Sequence, residues 1–110
     1  MITLKQLTPL LSTLNIPVAY NDFKDLKGGQ PSKPYLVWYI TGTNPIGADN
    51  VVAFESNPVN IELYTDIKDF ELESKIKKLL TDAGIYYTTS ETTLEEKRTH
   101  ITYFIITVGG

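Results

Sequence analysis

Residues 59 to 108 change period twice, and that change constrains the fold more than any other feature. Val59, Ile61 and Leu63 alternate with Asn60, Glu62 and Tyr64, the period-two pattern of a strand with one face covered and one open. Asp69 can then cap a helix whose apolar residues, Leu72, Ile76, Leu79, Leu80 and Ala83, recur at helical spacing. Glu71–Lys75 and Glu73–Lys77 have the order and spacing of ion pairs on an outer helical face. Gly84 suits the left-handed position that ends a helix. The segments Ile85 to Thr93 and Ile101 to Val108 are rich in β-branched and aromatic residues, so both predict strands, joined as a hairpin by Glu95 to Thr99.

The first half of the chain is more interrupted. Ile2 to Leu14 predicts a helix, with Thr3 and Gln6 spaced as a capping box and Ile2 and Leu7 as a staple. Leu4, Leu7, Leu11 and Leu14 lie at helical spacing. Pro9 cannot donate to the Lys5 carbonyl, so the helix either starts at Thr8 or tolerates a local distortion; the longer helix is favoured. Ile16 to Tyr20 predicts a short strand that Pro17 confines to an edge or to a first position. Phe23 to Pro34 holds two glycines, two prolines and four charges and predicts an exposed, mobile loop. Tyr35 to Thr41 carries large apolar residues on both faces, so this strand is expected to be covered on both sides. Gly42 to Asn50 predicts a second loop, and Val51 to Glu55 a weaker strand. The expected order is α-β-β-β-β-α-β-β. That is one α+β domain over residues 1–110 with a mostly antiparallel or mixed sheet. Helices are too few for a doubly wound parallel sheet.

Composition narrows the function classes. The 110 residues are 42% hydrophobic and 21% charged, within the range of folded domains. A net charge of −3 with acids and bases interleaved argues against a nucleic-acid surface, which needs clustered cations. With no cysteine, disulfides and thiolate metal sites are excluded. No apolar run approaches a membrane span, and the N-terminus lacks a signal-peptide pattern. The chain is therefore expected to stay inside a cell or inside something assembled there.

Chemistry-bearing residues are sparse. His100, the single histidine, has no serine elbow or cysteine to serve and reads as solvent-facing. Asp66, Asp69, Glu71 and Glu73 lack the spacing of a calcium loop and read as a solvated turn with a helix cap. Lys27-Gly28-Gly29-Gln30 is not a phosphate loop. No catalytic, cofactor-binding or metal-binding residue is assigned, and the chain is not expected to be an enzyme. The aromatic residues are denser than one small core obviously needs. Tyr35, Trp38, Tyr39, Tyr86 and Tyr103 fit either core packing with hydroxyls at the rim or a subunit interface, where tyrosine and tryptophan are enriched. They are the interface candidates, with Lys27 at the loop tip.

The order of these elements resembles the small tail-completion, or head–tail joining, proteins of long-tailed phages and prophages of Gram-positive bacteria, also described as minor capsid proteins. The resemblance rests on the N-terminal helix, Pro17-Val18-Ala19-Tyr20-Asn21-Asp22-Phe23, and the Gly/Pro loop. It continues through Asn60-Ile61-Glu62-Leu63-Tyr64-Thr65-Asp66, the Glu/Lys-rich helix and Gly84-Ile85-Tyr86-Tyr87. It spans nearly the whole chain and is lower over residues 42–58. It implies an α+β subunit assembled in the host cytoplasm into a homo-oligomeric ring, commonly a hexamer, at the head-proximal end of the tail. Its partners would be the tail tube and the head connector, its final location the virion, and its role structural, without a cofactor. Two other readings are a cytoplasmic binding module with Tyr35–Thr41 as a cleft wall and, more distantly, a small hydrolase.

Overall fold

The structure, a computed structural model, describes residues 2–23, 29–42, 44–45 and 55–109. Two helices lie against a mixed sheet, which establishes the α+β class. The elements are α1 (Leu4–Ser12), β1 (Val18–Tyr20), β2 (Tyr35–Ile40), β3 (Asn44–Pro45), β4 (Glu55–Thr65), α2 (Phe70–Asp82), β5 (Tyr87–Leu94) and β6 (Thr99–Gly109). The strand order is β1-β2-β4-β6-β5, with β3 paired to the start of β4. Among the described strands β1 and β2 pair in parallel and the other ladders are antiparallel, while an isolated parallel bridge joins Thr3 to Gly109.

The helix ends follow the expected chemistry. At α1, Gln6 Oε1 accepts from the Thr3 backbone N–H at 2.9 Å, which satisfies one of the free donors of the first turn. The helix runs through Pro9, as the longer of the two sequence alternatives requires. Asp69 caps α2, its Oδ1 accepting from Leu72 N–H at 3.0 Å. Gly84 takes φ 75°, a conformation open to glycine at little cost. Its N–H reaches the Thr81 carbonyl while Ile85 N–H reaches the Leu80 carbonyl. This paired closure ends the helix and packs buried Ile85 beside Leu80. It also moves the start of β5 from the expected Ile85 to Tyr87.

Alternation along the strands divides the sheet into two faces. Leu36 and Trp38 of β2, Val59, Ile61 and Leu63 of β4, and Phe104, Ile106 and Val108 of β6 join Leu7 and Leu11 of α1 and Ile76 and Leu80 of α2 in one core. Trp38 Nε1 donates to Thr8 Oγ1 at 2.9 Å, so the indole is buried without stranding its donor. A second, smaller cluster of Phe23, Tyr35 and Val37 lies on the opposite face, with Ala19 and Tyr64 against it. The strand Tyr35–Ile40 is thus covered on both sides, as its residues predict. Part of the cover comes from Phe23, a residue read as belonging to an exposed loop.

Other expectations change. The segment 42–50, read as loop, contributes the short strand β3, and residues 51–54 of the expected third strand lie outside the described residues, as do 24–28 of the Phe23–Pro34 loop. His100 is buried, not solvent-facing. It shares the helix-covered face of β6 with Thr102, Phe104 and Ile106 because strand side chains repeat every second residue. Glu73 is buried too and makes no outer-face pair with Lys77. It stands three residues before Ile76 and seven before Leu80, on the same helical stripe. Glu73 accepts from Lys68 Nζ at 3.0 and 3.1 Å and from Thr102 Oγ1 at 3.0 Å. Lys68 also reaches Glu91 at 2.7 Å. Glu71–Lys75 remains as the expected exposed pair, at 3.8 Å.

Two outcomes in urea denaturation test this packing. Ile76→Ala is expected to cost about 2–5 kcal/mol, as a fully buried side chain that α2 cannot collapse around; a cost under about 0.5 kcal/mol would place the residue at the surface. Lys68→Ala is expected to cost about 1–3 kcal/mol, because it leaves buried Glu73 with Thr102 alone, and adding Glu73→Gln is expected to restore part of that loss.

Candidate docking surface

The two helices cover one face of the sheet. On the other face stand Tyr35, Val37 and Tyr39 of β2, Asn60, Glu62 and Tyr64 of β4, and Ile101, Tyr103 and Ile105 of β6, by the strand registers. Glu62 lies at the centre, with Val37 as its neighbour on β2 and Tyr103 on β6. Tyr39 donates to Glu62 Oε2 at 3.0 Å and Tyr64 donates to Oε1 at 2.7 Å. Asn60 Nδ2 donates in turn to the Tyr39 hydroxyl oxygen at 3.3 Å. Tyr64 stacks on Tyr35 with ring centroids 4.8 Å apart, and Phe23 meets Tyr35 edge-on at 5.4 Å.

The chain thus presents a carboxylate held by two phenols, and among the described residues no cation is paired with it. Burial, joined by the hydrogen bond to Glu62, pushes the Tyr64 phenol well above its ordinary value. Burial and Glu62 also raise Tyr35. Burial is the leading cause of the raised value at Tyr39 as well, where Asn60 opposes it and Glu62 reinforces it. Tyr39 and Tyr64 therefore stay neutral donors to Glu62 into the alkaline range.

The candidates named from sequence divide accordingly. Tyr39 and Tyr103 are half-buried on the open face. Tyr86 is 86% exposed just before β5. Tyr35 and Trp38 are buried, Trp38 in the core beneath α1, and offer no surface to a partner; their aromatic density serves packing. Lys27 lies outside the described residues. Glu62, Tyr64 and Asn60 were not among the sequence candidates. The signal that marks them is the polar half of the Val59–Thr65 alternation, read across to Tyr39.

The concavity on this face is small. A cleft of about 140 Å³ is lined by Asn21, Phe23, Gln30, Tyr35, Glu62 and Tyr64. A second, of about 370 Å³, lies between Lys33, Asp66, Lys68 and Phe70. Among the described residues no group of three His, Asp or Glu is placed to hold a metal ion. Thr93, His100 and Glu91 do stand in line, with Thr93 Oγ1 2.9 Å from His100 Nδ1. However, Glu91 Oε1 is 3.7 Å from Nε2, beyond hydrogen-bond reach. The Glu91 carboxylate is engaged by Lys68, which holds it below the usual carboxylate range. This line of side chains stitches β5 to β6 and does not form a relay.

The raised phenols set a pH dependence. The unfolded chain begins to lose tyrosine protons near pH 10, the ordinary value, while the folded chain retains them at Tyr35, Tyr39 and Tyr64. Stability is therefore expected to be complete below pH 10 and to fall as pH rises through it. Tyr64→Phe is expected to make that decline shallower in urea titrations run across the alkaline range. An unchanged slope would mean that Tyr64 ionises alike in both states. Comparison with protein-family models finds no family that matches the chain, and comparison with curated protein sequences finds no match.

Proposed function

We propose that this chain is a structural subunit of a long-tailed phage or prophage that joins head to tail, acting by ring assembly and catalysing nothing. The observation that supports the reading best is the open sheet face. It is rich in tyrosine, and among the described residues no helix lies over it and no cation is paired with Glu62 at its centre. Protein interfaces favour such composition: aromatic side chains with apolar bodies and polar tips, and charges completed by the partner. The resemblance in element order, from the N-terminal helix to Gly84-Ile85-Tyr86-Tyr87, supplies the assembly in which such a face has a use. Ring neighbours, the tail tube and the head connector are the partners in this reading.

The binding-module alternative uses the same strand as a cleft wall. The cleft against Tyr35 and Glu62 holds about 140 Å³, whereas small-molecule sites commonly enclose about 300–1,000 Å³. That space takes a single side chain, which again suits a protein neighbour.

Deleting the gene from its phage is expected to leave filled heads and tails that fail to join, or tails of abnormal length. Purified protein added back is expected to restore joining. Glu62→Lys, at a half-buried position of the sheet face, is expected to fold with an unchanged far-ultraviolet spectrum yet restore less joining, and Lys27→Glu to act likewise. Normal infectious particles from the deletion mutant would remove the joining role and leave the binding module in its place.

A further inference from the structure

The two edges of the sheet are built differently. β1 is three residues long, follows Pro17 and is followed by Asn21 with φ 68°, all features that blunt an edge. The opposite edge, β5, runs for eight residues, Tyr-Thr-Thr-Ser-Glu-Thr-Thr-Leu, and pairs only with β6 among the described residues. It has no proline, glycine or lysine, and its single charge, Glu91, is held by Lys68 at 2.7 Å. A long, neutral, β-branched edge with unpaired backbone groups is a template for another strand. Two large apolar side chains flank it in the open: Tyr86 at 86% exposure and Leu94 at 40%.

We propose that β5 pairs antiparallel with β5 of a second copy of this chain, about a two-fold axis through Ser90. In a continuous sheet, residues directly opposite one another share a face. The β6 register puts Thr88, Ser90 and Thr92 on the open face and Thr89 and Glu91 on the helix side. Centring on Ser90 sets Thr88 against Thr92 of the second copy. It also brings Tyr86 against Leu94 of the second copy at both ends, so each exposed apolar side chain meets the other. Centring one residue later would place Glu91 on Glu91 and Tyr86 on Glu96, a like-charge contact and an unmatched ring. Centring one residue earlier leaves Tyr86 facing Thr92. The Ser90 register alone among these three joins the apolar ends and keeps the acids apart. The pairing is isologous and closes at two copies, which removes the edge as a site for open-ended association. It is independent of the joining role and describes the free protein before any assembly.

The chain has no cysteine, so single cysteines report the register cleanly. Sedimentation of the full chain is expected to show a reversible dimer. Mild oxidation is expected to convert Ser90→Cys to a covalent dimer, while Thr88→Cys alone, opposite a threonine, stays uncrosslinked. Combining Thr88→Cys with Thr92→Cys is expected to restore crosslinking. Tyr86→Lys and, separately, Leu94→Lys are each expected to weaken the dimer at least about tenfold with an unchanged circular-dichroism spectrum. A protein that sediments as a monomer at every accessible concentration overturns the proposal. So does equal crosslinking of Ser90→Cys and Thr88→Cys, or a larger species indifferent to Tyr86→Lys. Particle complementation tests joining by a separate readout, so failure there with the dimer intact counts against joining only.

Discussion

The ladder between β4 and β6 is the constraint on which the rest of the structure depends. It runs without interruption from Ser56–Gly109 to Thr65–His100 and is the longest pairing in the sheet. Each remaining strand is added to one side of it: β2 and then β1 beyond β4, β5 beyond β6. The partners are distant in sequence, so their closure must be offset by what the ladder buries. It does this by aligning Val59 with Ile106 and Ile61 with Phe104 on one face, where both helices find an apolar floor. A shift by one residue would turn those side chains to the open face and bring Glu62 under the helices.

At one end of that floor the apolar character stops. Leu63 pairs with Thr102 and Thr65 with His100, and above them α2 supplies Glu73. A buried carboxylate is costly unless it is compensated. Here Lys68, from the segment between β4 and α2, answers it, and the same ammonium reaches across to Glu91 of β5. One cation thus ties the start of α2, the edge strand and the central ladder. His100 Nδ1 shares a hydrogen bond with Thr93, a second polar tie between β5 and β6. The polar end of the core fixes where α2 begins and holds the otherwise exposed β5 in register. That is a structural use for groups whose types alone would suggest chemistry.

The open face follows opposite rules. It is stabilised by stacked tyrosines and by hydroxyls directed at one carboxylate, and among the described residues neither a helix lies above it nor a cation pairs with Glu62. The partial cover from Phe23 protects only the β2 side. Around Tyr103 and Ile105, the latter 42% exposed, the sheet meets solvent directly. Elsewhere on the face Tyr35, Val37 and Ile101 are buried, so its exposed apolar area centres on Ile105. The face and the β5 edge are separate surfaces, one suited to side-chain docking and the other to backbone pairing.

The sequence by itself determined the elements and their faces. Periodicity specified α2 and the strand Val59–Thr65, because a helix or strand half buried in a core must repeat its apolar residues at its own period, and β-branched and aromatic content marked the strands of the final hairpin. Local chemistry specified the ends, through Thr3, Asp69 and Gly84, since caps are satisfied within a few residues. What only the tertiary structure decided is which surface each face meets. Glu73 and His100 sit on stripes whose periodicity marks them as buried, yet their charge and polarity say surface; Lys68 and Thr93 settle the matter, and neither is a neighbour by period. Tyr35 and Trp38 look alike in sequence as candidates for an interface, and become core because a loop residue, Phe23, and a helix residue, Thr8, come to rest on them. Strand order is likewise invisible locally: that β6 lies between β4 and β5 places Tyr103 beside Glu62 and leaves β5 at the edge. Pairing across such distances depends on the combined burial of many residues, and no single segment carries that sum.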